Sequence, residues 1–165
     1  MANVQNPRGF SPVQPILRMR EYVKGTATAM YPGDILSLAT DGKLYIRATG
    51  NTTLVGVAMA YQPATATRIL VADSQDQQYY IQDDGVGGTL AQANVGNGFN
   101  IVMTTGNATY LKSAEALDTS TAAAATATRT HVLLGFHPDD TVGKYVRCRV
   151  RVKPATNIVE RAAFV

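Results

Sequence analysis

Short apolar runs separated by turn signals recur along the chain, and no stretch keeps helical spacing for three turns. This pattern predicts an all-β protein, either a compact β-barrel or a β-sandwich. The sharpest local signal is Asp41-Gly42, between the apolar runs 35–39 and 44–48. Because Asp-Gly is favoured in tight turns between antiparallel strands, we predict a hairpin there.

Other apolar runs are bounded by Pro, Gly, Asn or Asp and predict further strands and a final hairpin. The glycine-rich region 85–98 is interpreted as a loop with a short strand. Residues 119–128, which include five alanines, are interpreted as a linker or loop rather than a helix. The additional strands are predicted at 53–61, 67–73, 77–82, 99–104 and 109–117, and the hairpin at 130–136 with 144–153.

The first fifteen residues contain three prolines, at positions 7, 12 and 15. Proline fixes φ and removes a backbone donor, so residues 1–15 are predicted to form an extended arm that can neither become helical nor bury itself. Residues 16–165 then form a single β-rich domain. Phe10, close to Arg8, is the only large apolar side chain of the arm, and we interpret it as an anchor on a neighbouring subunit. The alternative is a frayed terminus.

Charge is sparse and unevenly distributed. Charged residues make up 16% of the 165 residues, and the formal net charge is +3. Residues 1–24 and 129–165 are basic, whereas residues 25–128 contain four basic and eight acidic residues. This is not the single basic face expected of a duplex-binding domain. Complementary contacts between copies, or with a shell protein, explain the distribution equally well.

The last predicted strand alternates between two faces. Its cationic face is predicted to contact nucleic acid, to meet the acidic middle of a neighbouring copy, or to be a solvated edge protected by charge. Cys148 is interpreted as a small buried side chain. Of Tyr79 and Tyr80, one is predicted to pack in the core and the other to make contacts. The two faces are Val146, Cys148, Val150 and Val152, and Arg147, Arg149, Arg151 and Lys153.

Catalytic and metal-binding patterns are missing from the sequence. A lone cysteine allows neither an intramolecular disulfide nor a cysteine-based zinc site. His131 and His137 are predicted to share a strand face but have no third ligand. Four nearby acids are interpreted as solvated turn residues rather than a cation site. We therefore predict no enzyme activity, no cofactor, no metal and no small-molecule substrate. The four acids are Asp73, Asp76, Asp83 and Asp84.

No signal peptide and no run of eighteen apolar residues is present, so neither export nor a membrane partner is indicated. The acids around Tyr79 and Tyr80 would repel phosphate, which argues against a nucleic-acid partner. The expected site of synthesis is the cytoplasm.

Several short motifs follow one another along the chain in an order that is typical of a known family. The first two are Asn6-Pro7-Arg8-Gly9-Phe10-Ser11-Pro12-Val13 and Tyr31-Pro32-Gly33-Asp34. They continue with Gly56-Val57-Ala58, Tyr80-Ile81-Gln82-Asp83-Asp84-Gly85, Asn94-Val95-Gly96-Asn97-Gly98-Phe99, and Leu133-Leu134-Gly135-Phe136 with Pro138-Asp139-Asp140. Over nearly its whole length the chain resembles a family of small structural proteins of tailed bacteriophages, the head decoration or cement proteins.

The resemblance implies a mechanical function. Copies would assemble in the bacterial host cytoplasm, sit on the outside of the icosahedral head as homotrimers, and bridge subunits of the major capsid protein. The apolar anchors would be Phe10, Val13 and Ile16. Capsid acids would pair with Arg8, Arg18 and Arg20.

Removing residues 1–15 is then expected to abolish shell binding and to leave the domain folded. Two alternatives stay open. One is another virion role, as a head fibre, tail or spike component. The other is a β-barrel that binds single-stranded nucleic acid through Arg147, Arg149 and Arg151.

Overall fold

The structure, a computed structural model, describes residues 3–25, 28–47, 53–123 and 129–153. Two antiparallel sheets form an open sandwich, and the described residues contain no α-helix. The all-β prediction is confirmed, with a sandwich as its form. The strands are β1 (Ser11–Pro12), β2 (Met19–Val23), β3 (Ile35–Leu38), β4 (Leu44–Ile46), β5 (Leu54–Ala58), β6 (Arg68–Ala72), β7 (Gln78–Gln82), β8 (Gly98–Val102), β9 (Ala116–Ala123), β10 (His131–Phe136) and β11 (Arg147–Val152).

The first sheet has six strands in the order β1-β7-β11-β10-β8-β9, and the second has five in the order β2-β6-β5-β3-β4. Both predicted hairpins are present. β3 pairs with β4 through a turn in which Gly42 has a φ of 75°, a conformation that glycine adopts readily. β10 pairs with β11 in the C-terminal hairpin. The predicted strands at 53–61, 67–73 and 77–82 correspond to β5, β6 and β7.

Three predictions for the regions on either side of β8 are wrong in part. Most of the predicted strand 109–117 is loop, and β9 instead runs from Ala116 to Ala123, into the predicted linker. The strand pairs with β8 through its backbone, and the Thr121 hydroxyl oxygen adds a contact by accepting the amide N–H of Asn100. Region 85–98 is a loop, as predicted, but its short element is a 3₁₀ turn at Gln92–Asn94 rather than a strand.

The main core lies between the two sheets, and a second apolar cluster covers the other face of the five-stranded sheet. Every residue of β5 is therefore buried. Gly56 in this strand lies so close to the carbonyl oxygen of Ala72 that a Cβ atom would collide with it. Glycine is needed at position 56 because β5 and β6 approach each other closely.

The N-terminal segment is extended, but it lies against the sandwich. Phe10 is 3% exposed and belongs to the main core. Its ring stacks on His131 with the ring centroids 5.1 Å apart, and it meets Tyr79 edge to face at 5.7 Å. Ser11 and Pro12 form β1, which pairs with β7. The prediction of an arm that cannot bury itself is therefore wrong, and Phe10 is not available as an anchor on a neighbour.

Candidate interaction surface

The outer face of the six-stranded sheet collects the cationic side chains of β11. Cys148 and Val150 are fully buried, while Arg147, Arg149 and Arg151 lie on the opposite face and are half-buried. The predicted alternation and the burial of Cys148 are confirmed. We call these three arginines the cationic stripe.

The stripe crosses the middle of the sheet. β11 pairs with β7 on one side and with β10 on the other, so it is an interior strand. The interpretation of this strand as a solvated edge is therefore wrong. On β7, Tyr79 is buried in the core and Tyr80 lies on the outer face beside the stripe.

Arg147 is neutralised within the chain. Its guanidinium donates to both carboxylate oxygens of Asp140, with the shortest contact, from Nη2 to Oδ1, at 2.6 Å. The Arg147 amide N–H also donates to Asp140 Oδ2 at 2.7 Å. These bonds, the side-chain hydrogen bond first, lower the pKa of Asp140 and raise the pKa of Arg147. This bidentate pair is a fixed part of the turn between β10 and β11.

The other two stripe arginines differ in whether a nearby acid balances their positive charge. Arg151 lies 3.6 Å from a carboxylate oxygen of Asp76, and the pair is weak because Asp76 is largely exposed to solvent and Arg151 is only half-buried. Arg149 forms no ion pair with any described residue, and its Nε is shielded from solvent without an acceptor. Uncompensated charge on this face is thus concentrated at its centre.

A groove of about 570 Å³ adjoins the stripe, between the N-terminal segment and the sheet. Arg8 lines it, is exposed, and has no ion pair within the described ranges. Tyr80 and His137 lie against each other in its wall, with ring centroids 4.7 Å apart. The groove therefore joins one predicted interface residue of the N-terminal segment to the cationic stripe, through Arg147.

The groove wall is held by side-chain bonds between distant parts of the chain. Asn3 donates to the carbonyl oxygens of Thr141 and Lys144 at 2.7 and 3.0 Å. The Gln82 side chain accepts the amide N–H of Asn6 and donates to the carbonyl oxygen of Val4. Residues 3–6 are therefore fastened to β7 and to the β10–β11 turn.

The remaining predicted anchors lie elsewhere. Val13 donates its amide N–H to the carbonyl oxygen of Gln78, and Ile16 packs against the main core. Arg18 and Arg20 both approach Asp73, at 2.8 and 3.6 Å. The structure therefore brings neither arginine to the stripe.

The acidic middle of the sequence is not an acidic surface. Four of its eight acids are at most 2% exposed. Asp73 accepts a hydrogen bond from the Tyr22 hydroxyl. Burial of the tyrosine first, and then this hydrogen bond, raise the pKa of Tyr22 to about 12. For two of the acids, the interpretation as solvated turn residues is wrong. The four buried acids are Asp34, Asp73, Asp83 and Glu115.

Asp83 shows what a buried acid does in this fold, which is to accept hydrogen bonds from the backbone. Its carboxylate accepts the amide N–H groups of Gly85, Tyr145 and Val146, so it connects the end of β7 to the start of β11. Burial raises its pKa, although the backbone donors act in the opposite direction. Gly85, with φ of 65°, lies under the ring of Tyr145, where a Cβ would collide. The Asp83-Asp84-Gly85 motif therefore positions Tyr145, which lines the groove.

The two histidines lie on opposite faces. His131 is fully buried, and burial lowers its pKa to about 3. A bulge between Leu133 and Gly135 shifts the alternation of β10 by one residue, so His137 lies on the outer face. Within the described ranges, no group of three or more His, Cys, Asp or Glu residues is placed to hold a metal ion.

Comparison with known proteins gives no match to a protein-family model, to a curated protein or to a solved structure. In the part of the chain that the structure describes, no helix is long and apolar enough to cross a membrane.

Proposed function

We propose that the chain is a structural protein of a tailed-bacteriophage virion. More specifically, we propose a decoration or cement protein on the outside of the icosahedral head. The order of the motifs along nearly the whole chain carries this proposal. Two of these motifs, residues 6–13 and 31–34, pack against each other through Gly9 and Gly33. These two motifs are therefore parts of one structural contact in this chain.

The outer face of the six-stranded sheet is the surface we assign to the shell. It combines aromatic side chains, hydrogen-bonding groups and arginine, a composition typical of protein interfaces. The N-terminal segment takes part as a groove wall that carries Arg8, rather than as a free arm. Copies assembled as a homotrimer would bind neighbouring capsid subunits through several such faces, so that modest single contacts give high avidity.

Cryo-electron microscopy of purified virions tests the proposal. The expected result is density for this chain on the head, at threefold and local threefold positions, with the six-stranded sheet facing the major capsid protein. Density on a fibre, the tail or a spike would move the protein to another virion role. Density nowhere on the particle would overturn the virion proposal.

Binding of single-stranded nucleic acid is the remaining alternative, and it predicts a different result in solution. Affinity for an oligonucleotide would fall steeply with salt, because the interaction releases counterions. A decoration protein is expected to leave the oligonucleotide unbound at physiological salt.

A further inference from the structure

Arg149 has an unusual position in the cationic stripe. It lies opposite Tyr80 on β7 and opposite Gly135 on β10, so it stands at the centre of the outer face. A Cβ atom at position 135 would lie 3.4 Å from its Nη2 and 3.9 Å from its Nε. The missing side chain of Gly135 therefore makes room for the guanidinium to lie close to the sheet.

The charge of Arg149 is uncompensated by any described residue, in contrast to the residues on either side. Asp140 pairs with Arg147 and Asp76 approaches Arg151. Arg149 Nε is shielded from solvent and has no acceptor in the described part of the chain. The Nη atoms of Arg149 are not shielded in this way, so an external acceptor can reach the guanidinium through them and compensate its charge. Guanidinium prefers planar, bidentate acceptors, above all carboxylate and phosphate.

We propose that Arg149 is the central anchor of a protein-docking face and takes a single carboxylate from an acidic surface of another protein. The inference rests on the proposed function for the identity of that protein, which is the head shell. Tyr80 beside it supplies apolar area around the ion pair, as anchors at protein interfaces commonly require.

The flanking acids favour a single carboxylate over a nucleic-acid backbone. Stripe residues are two apart on one strand, so their spacing is about 6.6 Å. A chain of phosphates that follows the stripe would meet Asp140 at one end and Asp76 at the other. A single carboxylate can pair with Arg149 at the centre of the stripe. It then places no further negative charge beside Asp140 or Asp76.

A second copy of the chain is a poor source of this carboxylate. The accessible acids in the described part of the chain already have partners. Asp140 pairs with Arg147, Asp76 approaches Arg151, Glu21 pairs with Arg68, and Asp41 accepts from Tyr45. Asp118 accepts from Ser120, Asp84 from Thr119, and Asp139 lies near His137. Four further acids are buried. Because each described acid is partnered or buried, we assign the proposed acid to a different protein.

Nuclear magnetic resonance of the arginine Nε–Hε groups tests the proposal without the shell. Acetate, which carries a single carboxylate, is titrated into the whole chain, and the resonance of Arg149 is expected to move further than those of Arg147 and Arg151. The same titration is made with oligo-dT. Equal movement of all three arginines with acetate, or a larger response to oligo-dT, would overturn the proposal.

Binding to heads that lack the protein provides the second test. Arg149→Gln is expected to weaken binding by roughly tenfold or more, because it leaves a partner carboxylate buried without its counter-charge. Arg151→Gln is the matched control, since Arg151 already has Asp76, and it should change binding little. Thermal unfolding of both variants verifies that they are folded.

The outcomes separate the two proposals. If the wild-type chain binds heads and Arg149→Gln binds equally well, the assignment of Arg149 as the anchor is wrong, while the proposed decoration function stands. If the wild-type chain does not bind heads, the decoration function fails, while the titration still decides the anchor. Sedimentation velocity of Arg149→Glu should match the wild type; a changed oligomeric state would place Arg149 between copies and overturn the assignment to a different protein.

Discussion

The amide N–H of Phe10 donates a hydrogen bond of 2.9 Å to the carbonyl oxygen of Gly33. Gly9 has φ of 65° and Gly33 has φ of 96°, and a Cβ atom on either would meet backbone of the other segment. The two backbones can therefore cross in close contact. This crossing directs Phe10 into the core and fixes the start of the groove wall.

Phe10 is expected to matter for stability as an ordinary core residue. Phe10→Ala should lower the free energy of unfolding by about 3–5 kcal/mol, because it removes a buried ring and leaves a cavity. Chemical denaturation measures the change. Val4→Ala is the control in the same segment: Val4 is 78% exposed, so its truncation should change stability by less than about 0.5 kcal/mol. Equal effects of the two substitutions would mean that Phe10 is not in the core.

Truncation separates the groove wall from the core contact. Removing residues 1–8 retains Phe10 and β1 (Ser11–Pro12), and the domain should stay folded. Removing residues 1–13 deletes both and should leave a chain with a much lower unfolding midpoint. This replaces the expectation that the whole segment 1–15 is dispensable for folding. Circular dichroism during heating measures both chains, and a stable sandwich without residues 1–13 would contradict the prediction.

Local signals in the sequence predicted a large part of the fold. Asp41-Gly42 predicted the hairpin of β3 and β4, and period-two alternation predicted the two faces of β11. These features depend on neighbouring residues only. Burial of Phe10 could not be predicted in the same way, because its partners Gly33, Tyr79 and His131 are distant in the sequence.

The candidate surface was likewise predictable only where it depends on residues that are close in the sequence. The stripe arginines were correctly placed on one face, but their pairing was not, since it depends on which acids the turns bring near. The sequence predicts Asp83 as a solvated turn residue, because the neighbouring acids lack the spacing of a calcium-binding loop. Its actual place is set by three backbone donors, two of which lie more than sixty residues away.

Two glycines with positive φ provide a matched test of the crossing. Gly9 and Gly42 have φ of 65° and 75°, but only Gly9 is surrounded by other atoms within 4 Å of a would-be Cβ. Gly42→Ala should cost about 1–2 kcal/mol, the ordinary penalty of a left-handed conformation. Gly9→Ala should cost about 1–3 kcal/mol more, because Ser113 and Gly33 would also have to move. Denaturant titration of both variants gives the difference, and equal losses would show that the two segments do not cross closely.

His131 is expected to make stability depend on pH. Burial first, and then the charge of Arg47, lower its pKa to about 3, from an ordinary value of 6.5. The folded state therefore excludes a proton that the unfolded state binds, so the stabilising contribution is complete above pH 6.5 and is lost as the pH falls towards 3. The expected loss is about 1.4 kcal/mol per pH unit in that window.

The contribution of His131 is isolated by comparison with His131→Gln. Burial also raises the pKa of Glu115, which acts in the opposite direction, but this effect is common to both proteins. The difference in unfolding free energy between wild type and variant should therefore shrink as the pH is lowered below 6.5. A difference that stays constant from pH 7 to pH 4 would show that His131 is accessible to protons in the folded state.

Asp83 should be needed as a carboxylate rather than merely as a polar side chain. Its two oxygens accept three backbone N–H groups, and Asn offers only one acceptor oxygen. Asp83→Asn should therefore lower the free energy of unfolding by about 1–3 kcal/mol, since at least one buried donor loses its acceptor. Asp139→Asn is the control, because the Asp139 side chain is 80% exposed and should tolerate the change. Hydrogen exchange at Tyr145 and Val146 should accelerate only in Asp83→Asn, because these two amides bond directly to the Asp83 carboxylate; unchanged exchange there would mean that the carboxylate does not connect β7 to β11.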